Sequence, residues 1–303
     1  MKCSIGVFAY NEEKNIGSLL DALLNQELNQ VEIDEIFVVA SGCTDKTVSF
    51  AQEFEKKDPT PEQIQHRADP RVKVLVQEKR EGKYSAINLF LKNAKNEILV
   101  MESGDTIPDK NAVERLVFPF SDSKTGMTGA KPVPIDNPNT FLGFTTNLLW
   151  DLHHQICLEN PKMGEMVAFR KVISEIPPIA MDEATIEYLI KDKGYKVIYV
   201  PEAIVYNKGP ETISDFLKQR RRNFAGHLHL KEKFGYEVST LNPFKVFSLI
   251  LKNFKLDLRH LLFTPFSIFL EGLGRFLGWW DYRIKKKDYV IWDLASTARK
   301  VIK

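Results

Sequence analysis

The chain has 303 residues, 44% of them hydrophobic and 27% charged, with a formal net charge of +2. That balance belongs to a folded globular protein of one large or two ordinary domains, and it excludes a disordered, collagen-like or disulfide-scaffold chain. It gives no global affinity for nucleic acid, and the three cysteines, Cys3, Cys43 and Cys157, are too far apart for a disulfide framework or a metal-ligand pattern, as expected of a reducing, cytoplasmic setting.

Met1-Lys2-Cys3-Ser4 runs straight into a strand pattern, so no signal peptide is read there. Cys3 to Ala9 reads as an apolar strand. Tyr10-Asn11-Glu12-Glu13 is a polar turn, and Asn15 to Asn25 carries apolar residues at helical spacing, with Asn11 placed to cap that helix. Ile33 to Ala40 is a second buried strand, Ser41 to Thr47 its exit loop, and Val48 to Lys56 a helix. Asp58 to Pro70, with Pro59, Pro61 and Pro70, reads as a surface loop. Val72 to Gln77 is a third strand, and Arg80-Glu81-Gly82-Lys83 leads into a helix from Tyr84 to Asn93.

Ile98 to Met101 is a fourth strand, stopping at Glu102. Ser103-Gly104-Asp105 forms a turn, and Pro108 suits the first turn of a helix reaching Leu116. Asp105 thus stands at the C-terminal end of a central strand, where open α/β sheets bind ligands. An acid beside a flexible glycine can hold a hard divalent cation against a phosphate; the plainer reading is a turn with Asp105 capping the next helix. Strands alternate with helices through the first 120 residues, which predicts βαβ units and a mostly parallel, Rossmann-like sheet. No Gly-x-Gly-x-x-Gly or Walker sequence follows any strand, which removes dinucleotide and P-loop readings.

Past Phe120 a strand is expected from Thr125 to Val133 and a helix from Phe141 to Glu159, with Trp150, His153 and His154. A short strand follows over Gly164 to Arg170. Met181-Asp182-Glu183 opens a helix to Lys193, and Lys196 to Val200 is a strand ended by Pro201. Glu211 to Lys231 is a basic helix containing Gln219-Arg220-Arg221-Arg222-Asn223. His153 and His154 read as surface or packing residues, and Cys43 as a packing residue. The expected organisation is residues 1–235, with a nucleotide-binding half (1–120) and an acceptor-binding half (121–235), then a C-terminal region over 236–303.

That last region holds 12 Lys/Arg against 5 acids from Leu241 onward. It is also rich in Phe, Leu and Trp. Its longest nearly apolar run, Leu261 to Leu270, is shorter than the ~18 residues of a spanning helix. Glu271 and Arg275 follow, four apart on one helical face. Trp279-Trp280 and Lys285-Lys286-Lys287 suit amphipathic helices lying on a membrane surface. The other reading is a helical subdomain on the core, or an oligomer interface.

The collinear order of these motifs resembles a family 2 glycosyltransferase over roughly residues 3 to 230. Phe8-Ala9-Tyr10-Asn11-Glu12-Glu13 resembles the opening nucleotide-binding turn of that family. Val39 to Thr47, with Ser41, resembles its second-strand loop, and Gly82-Lys83-x-x-Ala86-x-Asn88 its segment beside the nucleotide. Ser103-Gly104-Asp105 matches its metal-binding Asp-x-Asp, Asp182-Glu183 its catalytic acid pair, and Gln219-x-x-Arg222 its Gln-x-x-Arg-Trp. A Trp292-Asp293 segment after the apolar tail also resembles some members.

The resemblance implies a GT-A fold, a mixed and mostly parallel sheet flanked by helices, plus a membrane-associating helical extension. It implies an inverting transfer from a nucleotide-sugar donor to a glycan or lipid-linked acceptor at the cytoplasmic face of the cell membrane. Asp105 would be the ligand of a Mg²⁺ or Mn²⁺, and Glu183 or Asp182 the base. Ala9, Tyr10, Asn11, Glu12, Ser41, Lys83, Asn88, Ser103, Gly104, Gln219 and Arg222 would bind substrate. Four features depart from the pattern: Ser103 replaces the first metal-motif Asp, Ala40-Ser41 the base-reading Asp, Asn223 the Trp, and the acid pair reads Asp-Glu rather than Glu-Asp. By spacing to Gly194-Tyr195, Glu183 falls where the base usually sits, and a one-residue shift would hand the role to Asp182. The alternatives are a polyprenyl-phosphate sugar synthase, a nucleotidyltransferase, or a catalytically degenerate membrane-bound scaffold.

Overall fold

The computed structural model describes residues 1–55, 68–241, 243–252 and 256–291. Most of the expected loop from Asp58 to Pro70, together with Lys56, Lys255 and the Trp292-Asp293 segment, lies outside them. One eight-stranded sheet runs through the chain: β1 (Lys2–Ala9), β2 (Glu32–Ser41), β3 (Val72–Gln77), β4 (Ile98–Ser103), β5 (Ile107–Pro108), β6 (Thr125–Pro134), β7 (Val167–Arg170) and β8 (Lys196–Asn207). Their spatial order is β3-β2-β1-β4-β7-β6-β8-β5. The pairs β2/β3, β1/β2, β1/β4 and β6/β8 are parallel; β7 is antiparallel to both β4 and β6.

The helices are α1 (Ile16–Leu24), α2 (Thr47–Glu55), α3 (Lys83–Asn93), α4 (Ala112–Val117), α5 (Phe141–Glu159), α6 (Asp182–Asp192), α7 (Ile213–Phe234), α8 (Pro243–Lys252) and α9 (Leu258–Arg283). They cover both faces of the sheet, which is why the central strands read as nearly unbroken apolar runs. Side chains of a strand alternate between faces. Ile5, Val7, Ile36, Val38, Ile98 and Val100 join a core with Ile16, Leu19 and Leu20 of α1. Phe37, Val39, Leu99 and Met101 join another with Ile87 and Phe90 of α3 and Ile186 of α6.

Several local expectations are corrected. Pro108 does not open a helix: it pairs with Val205 in a two-residue edge strand, a position that needs no N–H from it. Strand β4 runs through Glu102 to Ser103, because Val7 and Phe8 of β1 continue the ladder. Pro201 does not end β8. The register against β6 jumps from Gly129↔Tyr199 to Lys131↔Ile204, and Pro201 sits in that irregularity. Asn11 does not cap α1. It has φ 56° and bonds the Thr44 N–H instead, at 2.8 Å.

The C-terminal helices pack as a brace. Arg221 of α7 donates to both carboxylate oxygens of Asp281 at 2.7 and 2.9 Å, and Tyr289 bonds the same buried group. The α9 backbone lies very close to α7: a Cβ on Gly278 would stand 2.7 Å from the Arg221 carbonyl oxygen, and one on Gly274 2.5 Å from Arg220 Cβ. The buried stripe Thr264, Ser267, Leu270, Gly274, Gly278 and Asp281 faces inward. Phe266, Phe269 and Phe276 are 62%, 64% and 55% exposed on the outside. At 26 residues, α9 as a whole is long and apolar enough to cross a membrane by length and composition, which the ten-residue run alone did not reveal.

This packing separates two neighbouring glycines. Gly272 has nothing within 4 Å of a built Cβ. Gly272→Ala is therefore expected to stabilise the fold by about 0.5–1 kcal/mol through helix propensity. Gly278→Ala meets backbone, and overpacking of about 1–3 kcal/mol should outweigh that gain. Thermal unfolding of both variants checks this; equal shifts would mean α9 does not rest on α7.

Candidate active site

In an open sheet the loops that meet at the C-terminal strand ends form the ligand crevice. Phe8 of β1 is in register with Ser103 of β4, so the turns after the two strands touch. The Gly104 N–H donates to the Phe8 carbonyl at 3.0 Å, and a Cβ on Gly104 would come within 2.9 Å of Glu12. Only glycine fits between these turns, and Asp105 follows it into the cleft. Because β7 runs antiparallel to β4, its N-terminal lead, Gly164-Glu165, reaches the same edge. The N-terminus of α6 and the Gln219–Asn223 face of α7 close the opposite wall.

The cleft gathers Ala9, Tyr10, Glu12 and Ser41 from the first two turns, Lys83 from the start of α3, and Ser103, Gly104 and Asp105 from β4. Asp182, Glu183, Gln219 and Arg222 complete it. Asn11 and Asn88 do not line it. Asn11 ties the first turn to the Thr44 loop. Asn88 accepts from the Ile176 N–H at 2.8 Å and donates to its carbonyl at 3.0 Å, pinning the segment that leads to α6.

Lys83 is the charge at the centre. Its ammonium meets Glu183 at 2.7 Å and the Ser103 hydroxyl at 3.3 Å. Burial acts to lower the lysine, and the charges of Glu183 and Asp182 overcome it, so Lys83 stays protonated. Burial likewise pushes Glu183 up, but the Lys83 ammonium and its hydrogen bond win and hold it below the usual range. Asp182 is 2% exposed, and its Oδ1 has no hydrogen-bond partner among the described residues. Burial, joined by the Glu183 charge, raises Asp182 against the pull of Lys83. Adjacent carboxylates thus acquire opposite characters, one neutralised and one poised to take a proton.

Other residues of the cleft carried no signal by spacing. Glu165 is raised to about 7, first by burial and then by Asp105. Its only sequence cue is an acid in a small-residue lead to a buried strand. Arg80 lies over the Tyr10 ring at 4.2 Å, and Trp150 and Lys162 line the wall beside Gln219. Glu102, one residue before Ser103, is 1% exposed, bonds Thr106, and is raised to about 8 by burial. Cys43 bonds the Asn11 N–H and the Ala9 carbonyl, and burial raises its thiol, which suits packing rather than nucleophilic attack. His153 is buried beside Cys157, and His154 bonds the Tyr199 hydroxyl at 2.9 Å.

No group of three metal-ligating side chains exists among the described residues. Asp105 makes no hydrogen bond or ion pair among them, and the neighbouring motif position is the Ser103 hydroxyl. One uncommitted carboxylate at a strand end fits a hard cation that takes its remaining ligands from substrate phosphates and water, the usual habit of Mg²⁺.

Comparison with known proteins gives the fold and the family. The chain is 26% identical over 288 residues to the probable glycosyltransferase YdaM of Bacillus subtilis (strain 168), covering 88% of this chain and 63% of that protein. It is 25% identical over 246 residues to the poly-beta-1,6-N-acetyl-D-glucosamine synthase of Staphylococcus epidermidis, covering 76% and 56%. The chain therefore spans about half to just under two thirds of the length of these relatives. The mannosyltransferase PcManGT from Pyrobaculum calidifontis, solved with GDP-Man and Mn²⁺, shares the fold with a TM-score of 0.60 at 18% identity, over 90% of this chain and 73% of that one. The glucosyl-3-phosphoglycerate synthase from Mycobacterium tuberculosis, solved with Mn²⁺, UDP and glucosyl-3-phosphoglycerate, does so with 0.52 at 20%, over 75% and 79%. The fold is thus the GT-A fold. The pattern of glycosyl transferase family 2 matches residues 4–173, more than half the chain, and that of glycosyl transferase family group 2 matches residues 161–291: the chain belongs to glycosyl transferase family 2.

Proposed function

We propose that the protein is an inverting glycosyltransferase. It moves a sugar from a nucleotide-sugar donor to the hydroxyl of a glycan or lipid-linked acceptor, at the cytoplasmic face of the cell membrane. The observation that carries this reading is the unequal acid pair, Asp182 raised and Glu183 neutralised by Lys83, facing Asp105 across one cleft. Family membership, the GDP-Man complex of one solved neighbour and the UDP complex of the other support the donor class.

In this reading Asp182 takes the proton of the acceptor hydroxyl. The acceptor oxygen then bonds to the anomeric carbon on the face opposite the leaving group. The bond from that carbon to the diphosphate oxygen breaks, and its electron pair leaves with the nucleoside diphosphate. Lys83 and Arg222 line the cleft as cations that favour the departing charge. Asp105 would hold Mg²⁺ or Mn²⁺, which when bound supplies a Lewis acid against the diphosphate. Tyr10 with Arg80 offers a flat, cationic wall to a nucleotide base.

The membrane part rests on α8 and α9. The inner side of α9 is ion-paired and glycine-lined, and its outer side exposes Phe266, Phe269, Phe276, Trp279 and Trp280. That arrangement is the reverse of a soluble surface helix, and Lys285, Lys286 and Lys287 follow it, exposed. A helix whose inner face is committed to α7 lies along a bilayer surface more readily than across it.

Two outcomes are expected. Asp182→Asn should lower turnover by roughly 10²- to 10⁴-fold while donor binding holds, the range of a lost general base. Because a base works only when ionised and Asp182 is raised, wild-type activity should climb with pH above the ordinary carboxylate range. A steady-state pH profile checks both. Loss of activity in Glu183→Gln with none in Asp182→Asn would reassign the base.

The protein should also float with vesicles containing anionic lipid. Replacing Lys285, Lys286 and Lys287 by Gln should weaken that binding roughly 100-fold at low salt. Failure to float, with a dimer in solution, would mean that the apolar face is an oligomer interface.

A further inference from the structure

The cleft continues past Arg222 into a second cavity enclosed by α5, α7 and α9. The two hollows share Lys162, Glu165, Gln219 and Arg222. Charge sets the second one apart. Lys162, Arg220, Arg222 and Arg275 line it against two carboxylates, Glu165 and Glu271, a surplus of two positive charges. Lys208 at its rim is already paired with Glu211 at 2.7 Å.

The polar groups there are also incompletely satisfied. His227 is 6% exposed, and its Nδ1 has no hydrogen-bond partner among the described residues. Among the described residues, the Oδ1 of Asn207, which is 6% exposed, and the buried Nε of Arg220 have no partner either. A buried polar atom left unpaired is costly unless a ligand completes it. The Arg220 Nε–H is a donor beside excess positive charge, His227 Nδ1 donates when it carries the ring proton, and Asn207 Oδ1 is an acceptor. Glu271 meanwhile holds the two guanidiniums together, Arg275 at 2.8 Å and Arg220 at 3.6 Å. Burial, with neighbouring cations adding to it, also pulls His227 well below its ordinary range, a state that an anion would reverse.

We propose that this cavity binds a phosphate group carried by the acceptor, held by Arg275, Arg220, Lys162 and His227, while the acceptor hydroxyl faces Asp182. A phosphate monoester carries about −1.5 to −2 at neutral pH, which matches the surplus, and guanidinium forks suit its oxygens. A neutral glycan would leave that charge unanswered. The inference rests on the transferase reading above and names its acceptor class. The phosphate has two sources, a soluble phosphorylated compound or a lipid headgroup. Arg275 and Glu271 lie on the inner side of the same helix whose outer side is apolar, so either source reaches the same side chains.

The test uses the full chain. UDP and GDP are titrated first with Mg²⁺; if neither binds, the transferase reading fails, independently of the cavity. With the nucleotide site saturated, glycerol 3-phosphate is titrated beside glycerol. Flotation is compared on phosphatidylcholine vesicles with and without phosphatidic acid.

One of the phosphate probes should bind and its neutral counterpart should not. Arg275→Gln and His227→Gln should each weaken binding about 10- to 100-fold, the scale of one charge-assisted hydrogen bond. Nucleotide affinity of the same samples reports that each variant is folded, and His227→Gln decides if Arg275→Gln is not. Binding of glycerol 3-phosphate in solution assigns a soluble acceptor. Binding to phosphatidic acid alone, weakened in these variants, assigns a lipid. Nucleotide binding without either phosphate, or phosphate binding that neither variant weakens, overturns the proposal.

Discussion

The ion pair between Lys83 and Glu183, 2.7 Å long, is the contact on which the rest of the site depends. It joins the first turn of α3 to the first turn of α6, one hundred residues apart, and reaches the end of β4 through Ser103. Its ammonium is shared among acids that converge from three elements. Because Glu183 takes the direct contact, Asp182 is left buried with an unsatisfied oxygen. The chemical difference between two adjacent carboxylates follows from where a single lysine points.

The sheet makes that contact reachable. Parallel strands β1, β2 and β4 send their turns to one edge, and antiparallel β7 brings Glu165 back to it. The remaining wall is α7, and α7 is held by α9. Arg220 and Arg221 turn towards Glu271 and Asp281, which leaves Arg222 to face the cleft. The apolar tail also has a structural part in the site. It fixes the helix that carries the arginines, and its Glu271 and Arg275 line the cationic hollow proposed to take a phosphate.

Much of the fold was legible because its central strands are buried on both faces. The runs at Cys3–Ala9, Ile33–Ala40 and Ile98–Met101 announce themselves without tertiary knowledge. Errors came where tertiary pairing overrode a local rule. Pro201 is a strand breaker on paper, but a register irregularity shelters it. Pro108 looked like a helix start, yet an edge strand accepts it. Asn11 had the composition of a cap, and its side chain went to Thr44 instead. Within the cleft, residues on strand-end turns could be named from their motifs. Glu165, Lys162 and Arg275 could not, because antiparallel pairing and helix docking bring them in from distant sequence. Spacing put Glu183 where the base usually sits, with Asp182 one residue away; the Lys83 contact with Glu183 supports Asp182 instead.

In the proposed reading, Asp105 and the turns beside it hold a nucleoside diphosphate together with a divalent cation. The most direct test is calorimetric titration of the full chain with UDP and with GDP, with and without Mn²⁺, alongside Asp105→Ala. The account predicts that one of the two nucleotides binds in the presence of Mn²⁺, and that binding is lost both without the metal and in the variant. Binding of neither nucleotide, or metal-independent binding that Asp105→Ala leaves unchanged, would contradict it.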